Sequence, residues 1–134
     1  MKLEFKDGKA TGTMNVNGQE KPVSADLGGA LFADGAGATL ILAALPLEAG
    51  YAATYRNFDV QAQKVKLMQM KVAGTEKVTV PAGTFDSTKL EVTSAEGEGG
   101  QTTVWVDPAT RQVVKSVSVI PQMNGAVLTT ELSP

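Results

Sequence analysis

Two dipeptides, Asp7-Gly8 and Asn17-Gly18, constrain the fold of this chain more than any other feature, because both tolerate the positive φ that two-residue primed turns demand. The first turn sets Lys6 opposite Lys9, Phe5 opposite Ala10 and Leu3 opposite Gly12. The second sets Val16 opposite Gln19, Met14 opposite Lys21, Gly12 opposite Val23 and Ala10 opposite Ala25. Side chains alternate faces along a strand, so Leu3, Phe5, Met14, Val16, Val23, Ala25 and Leu27 share one face. Thr11, Thr13, Asn15, Glu20, Ser24 and Asp26 share the other. Two independent turns therefore agree on one apolar sheet face, which predicts a three-stranded meander.

One helix is expected next, in ADGAGATLILAALPLEAG. Asp34 is placed to cap it, Ala38, Ile41, Leu42 and Leu45 fall at helical spacing, and Pro46 ends it after roughly ten residues. Its surface is apolar on more than one side, so it must be covered or must cover something. A dinucleotide-binding reading of DGAGAT fails, because no buried strand precedes it and the third glycine is missing.

The remainder reads as strands and corners. QAQKVKLMQMKV, KVTV, TKLEVTS, TTVWV, QVVKSVSVI and AVLTTEL are rich in β-branched residues and are separated by GTE, PAG, AEGEGG, DPAT and MNG. Val65 and Leu67 have one parity and Met68, Met70 and Val72 the other, which predicts a bulge near Leu67-Met68 or a strand covered on both faces. In VTVPAGTF, Pro81 and Ala82 suit a type I turn and Gly83 the left-handed position after it, so the motif is a corner. That reading places Val78 and Val80 on the face that carries Leu90 and Val92, with Phe85 on the opposite face. Asn124-Gly125 predicts a further two-residue hairpin with Val119 facing Thr130 and Val117 facing Leu132. The expected fold is mainly β with one short helix: a curved antiparallel sheet or half-open barrel of about nine strands wrapped around a helix, in a single domain over residues 1–134.

Chemistry is restricted by what is missing. The 134 residues contain no histidine and no cysteine, so serine nucleophiles lack their usual base and only hard oxygen sites for metals are conceivable. No Ser-x-x-Lys and no EF-hand spacing of acids occurs. Glu91 and Glu131, on separate strands, are the acids that would have to come together for acid and base work. The net charge of −2, with lysines scattered among acids, argues against nucleic acid as a partner. No apolar run of about 18 residues is present to span a membrane. No catalytic residue, metal or cofactor is therefore assigned, and the chain is expected to be soluble.

GTEKVTVPAGTFDSTKLEVTS, followed by TTVWVDPATRQVVKSVSV and a closing TTEL strand, resembles the C-terminal half of the domain-of-unknown-function family 3108 of bacterial envelope proteins. LPLEAGYAATYRNFD resembles the segment that precedes it, so the resemblance covers residues 45–132. A WVD-turn-VVK hairpin after a curved sheet is also similar to periplasmic lipoprotein carriers, whose half-barrels hold acyl chains under a helical lid. These resemblances imply export to the periplasm or envelope, with any targeting segment absent from this chain, though a cytoplasmic location stays open. They also imply an apolar cavity. Its lining would comprise Leu40, Leu45, Met68, Met70 and Trp105, with Tyr55 and Arg56 at the mouth beside Asp59, and its ligand would be a lipid or other hydrophobic small molecule. The competing expectation is a filled core in an interaction or structural module that meets a protein partner.

Overall fold

A computed structural model describes residues 1–34, 38–60, 62–97 and 99–134. The N-terminal meander has the predicted registers. Strand β1 (Lys2–Lys6) pairs with β2 (Lys9–Val16), and β2 with β3 (Gln19–Asp26), with Phe5 opposite Ala10 and Met14 opposite Lys21. Asp7, Gly8, Asn17 and Gly18 all take positive φ, as primed turns require. Gly12, inside β2, is required for want of space: a Cβ there would lie 2.0 Å from the carbonyl oxygen of Lys2.

The second sheet follows the order β10-β9-β8-β7-β6-β5-β4. Its six antiparallel strands are β5 (Ala52–Asp59), β6 (Lys64–Val80), β7 (Gly83–Ser94), β8 (Thr102–Asp107), β9 (Gln112–Ile120) and β10 (Ala126–Glu131), and the two-residue β4 (Ala33–Asp34) joins β5 in parallel. The sheet coils so that the tip of the β6–β7 hairpin meets the end of β10, where Ala82 N–H donates to the Leu132 carbonyl at 3.1 Å. It curves without closing, since β4 and β10 remain its two ends.

Helix α1 (Ala38–Leu42) is shorter than expected and continues as tight turns, with Ala44 N–H bonded to Ile41 O and Leu45 N–H to Leu42 O. The expected helix start at residues 35–37 and the side chain of the expected cap, Asp34, lie outside the described residues. The chain tightens after Leu42 so that Leu42 and Ala43 both point inward while Ile41 turns out, which separates Ile41 from the face predicted for it.

Three departures from the sequence reading fall on β6. GTE is no turn: β6 runs unbroken for 17 residues and absorbs it. The irregularity falls between Val72 and Gly74, not at Leu67-Met68, and Val72 faces Leu90 while Gly74 faces Lys89. Beyond that bulge every side chain of β6 changes face. Val78 pairs with Phe85 and shares its face, in a cluster with Val80, Val114 and Trp105 and not with Leu90 and Val92. The turn register and alternation along β7 fix this, and the bulge is what lets Val72 face Leu90 on the other side. The other half of the parity reading holds, because the start of β6 is covered on both faces. Val65 packs against the meander and Met70 against α1.

The C-terminal hairpin also differs. Val127 faces Val119 and Thr130 faces Ser116, three residues out of the predicted register. Pro121 has no N–H to continue the ladder, so a 3-10 turn over Pro121–Met123 precedes Asn124 and Gly125, and a five-residue loop replaces the two-residue turn. The meander does not join the layer under the helix but packs on β5 through Phe58. The described core divides into three clusters: one under α1, one between the meander and β5, and one inside the curl of β6–β10.

Candidate functional site

Under α1, where the sequence reading placed a cavity, side chains are packed together. Leu42, Ala43, Tyr55, Met70, Val72, Leu90, Val92, Val104 and Val106 form one buried cluster, with Met70 0% exposed and Leu45 and Met68 against its margin. Each such side chain contributes about 1.5–3 kcal/mol by leaving water. Arg111, which sequence reasoning did not single out, fastens the segment after α1 by donating to the carbonyls of Leu45 at 2.7 Å and Ala43 at 3.4 Å. Its position after the Asp107 turn was the only available signal. There the Asp107 carboxylate accepts from Ala109 N–H and the Thr110 hydroxyl, which holds its pKa below the usual carboxylate range.

Tyr55 belongs to this core and not to a polar mouth. Its ring lies 4.8 Å from that of Phe32, and burial pushes its hydroxyl from the usual 10.0 up to about 12. The folded value exceeds the unfolded one, so the stability linked to Tyr55 is complete below pH 10.0 and is lost as pH rises toward about 12. Tyr55→Phe is expected to move alkaline unfolding to higher pH in a circular-dichroism titration. Superimposable curves would refute a desolvated hydroxyl.

The remaining predicted residues are dispersed. Arg56 lies on the opposite face of β5, where its guanidinium donates to the Leu27 and Ala30 carbonyls and packs against Gly29, at which a Cβ would come within 2.6 Å of Nη1. It is a clamp on the link from the meander. Asp59 points to the other face of β5 and pairs with Lys66. Trp105 lies across the sheet from α1, donating from its indole N–H to Glu76 with Lys89 Nζ 5.9 Å above the ring. Glu91 and Glu131 pair with Lys71 and Lys115 respectively, and two strands, β8 and β9, separate them. At about 4.8 Å per strand they stand too far apart to share a reaction.

Leu40, 71% exposed, borders a groove of about 530 Å³ between α1 and the β9–β10 hairpin. The floor carries Ser116, Ser118, Leu128 and Thr130, and two of its hydroxyls are already paired to each other, Ser116 with Thr130 at 2.6 Å. A second recess of about 480 Å³ lies beside Phe5, Leu27, Leu31 and Phe32 at the end of the meander.

Beside the groove runs the feature that sequence reasoning missed. All six residues of β10 are exposed, Val127 by 61% and Leu128 by 55%. Leu132 N–H donates to Val114 O, and Val119 N–H turns the other way, to Gln101 O. Antiparallel alternation then aims the main chain of Ala126, Leu128 and Thr130 at β9, and that of Val127, Thr129 and Glu131 outward. The edges at β1, β3 and β4 are protected. Strand β1 alternates Lys2, Glu4 and Lys6, β3 carries Glu20, Lys21 and Pro22, and β4 has only two residues. Strand β10 has no lysine, no proline and one charge, Glu131, which Lys115 neutralises at 2.9 Å.

A family described as "Protein of unknown function (DUF3108)" matches residues 1–132, a longer span than the resemblance read from the corners alone. No curated protein and no solved structure matches.

Proposed function

Since the chain belongs to DUF3108, whose description assigns no activity, we propose that it is a non-catalytic interaction module of the bacterial envelope that receives another polypeptide as an added strand on β10. The observation that carries this reading is the unprotected outer row of β10, with Val127 and Leu128 exposed on its two faces. Strand addition draws affinity from main-chain hydrogen bonds and selectivity from alternate side chains, and β10 offers both. The filled layer beneath α1 weighs against an acyl chain held there, because Met70, Leu90 and Val104 occupy the space it would need. The separation of Glu91 from Glu131, in a chain without histidine or cysteine, supports the non-catalytic part.

A photoreactive amino acid in place of Val127, introduced into the chromosomally encoded protein in its native host, tests the proposal. A covalent polypeptide adduct recovered from the envelope fraction is expected. Adducts with lipid alone, or no adduct, would overturn the strand-addition reading, and recovery of the protein from the cytosol would overturn the location.

A further inference from the structure

We infer that the strand added at β10 is β10 of a second copy of this chain, an inference that rests on the reading of β10 as a strand-receiving edge. The strand is complementary to itself. In a two-fold antiparallel arrangement centred on Leu128, Val127 of each copy faces Thr129 of the other. These are the residues whose N–H and C=O groups already point outward, so each such pair exchanges both of its main-chain hydrogen bonds. Leu128 then meets Leu128 at a position without main-chain bonds, where opposing side chains come closest, and two leucines that are each more than half exposed cover one another.

Charge permits the arrangement. Glu131 is neutralised by Lys115 within its own chain, and in this register the two copies of Glu131 lie about 20 Å apart, at opposite ends of the pairing. No like charges meet. The protected edges do not have this property: two β1 strands paired about their centre would set Glu4 against Glu4 and Lys2 against Lys6, and Pro22 in β3 withholds a donor. Faces are also conserved across the axis. The grooves bordered by Leu40 and floored by Leu128 fall on the same side of the joined sheet, so pairing merges them into one longer trough.

The register specifies the test. Opposing residues at such a position have Cα atoms about 4.5 Å apart, within the range of about 4.4–6.8 Å that a disulfide bridges. The chain contains no cysteine of its own. Leu128→Cys is therefore expected to give a disulfide-linked dimer on mild oxidation, whereas Val127→Cys, which faces Thr129, should link poorly. Unmodified protein is expected to sediment as a dimer at micromolar concentration. Thr129→Pro removes an outward N–H without touching the β9 ladder and should weaken association roughly tenfold or more, with Val127→Lys as a second variant if proline disturbs the strand.

Sedimentation as a monomer at every concentration, or linking by Val127→Cys in preference to Leu128→Cys, would overturn the inference. Should the photoreactive residue at position 127 capture a different polypeptide while the purified chain stays monomeric, the second copy is wrong and the strand-receiving reading survives. Capture of no polypeptide sinks both.

Discussion

Phe58→Ala is expected to destabilise the protein by about 3–5 kcal/mol, the usual cost of emptying a buried aromatic site, and to loosen the meander before the large sheet. Phe58 is 0% exposed and is the one fully buried side chain that β5 contributes to the cluster with Ala10, Met14, Val23 and Leu27. Phe5 meets its ring edge-on at 6.0 Å. Other described ties between meander and sheet are weaker: the partly buried Val60 and Val65 beside Phe58, the Arg56 clamp on the Leu27 and Ala30 carbonyls, and Gln63 bonds to Ser24 and Pro22 at 3.4 and 3.3 Å. Those polar contacts are partly open to water, and each contributes only about 0.5–1.5 kcal/mol net. Removing the ring should therefore speed hydrogen exchange in β1–β3 far more than in β7–β9. Uniform acceleration throughout the chain would show instead that the two sheets unfold as a single unit.

How much of this was legible in the sequence depends on what fixed each register. In the meander, Asp7-Gly8 and Asn17-Gly18 fix both ends of β2, and the apolar alternation confirms them, so every pair could be read in advance. In the C-terminal hairpin Asn124-Gly125 do adopt positive φ, but Pro121 ends the ladder earlier, and a turn dipeptide cannot announce how long its loop is. Parity fails wherever a bulge intervenes. Nothing in AGTE marks Val72 and Gly74 as the point where β6 changes face, and that single irregularity sets Val78 and Val80 on the other side of the sheet from Met70 and Val72.

The predicted lining divided for the same reason. Leu45, Met68 and Met70 gather at α1, and Tyr55, expected at the mouth, joins them in the core. Trp105 and Arg56 lie on other faces, and Leu40 on a rim, because a list of apolar and polar residues carries no sign for the face each will occupy. The unprotected edge was in principle readable, since AVLTTE lacks lysine and proline. Recognising it required knowing that β10 ends the sheet.

The other large effect is expected at Leu42→Asp. Leu42 is 2% exposed and enters the layer formed by Tyr55, Met70, Leu90 and Val104. A carboxylate there would lose its hydration among Tyr55, Met70, Leu90 and Val104, none of which carries a positive charge, while Arg111 is already engaged by the Ala43 and Leu45 carbonyls, so the substitution costs several kcal/mol or the group must take up a proton. Burial raises the pKa of such an acid above its unfolded value, and the damage should consequently be greatest at neutral pH and diminish as pH falls through the raised value. Leu42→Asn, polar but not ionisable, separates the two contributions: it should be destabilised to a similar extent at pH 5 and pH 7, while Leu42→Asp recovers on acidification. If α1 were instead a lid that opens over a vacant cavity, Leu42→Asp would swing into water and leave the melting temperature almost unchanged at either pH. A cooperative transition lowered by many degrees at neutral pH, with partial recovery in acid, is the result that a filled layer requires.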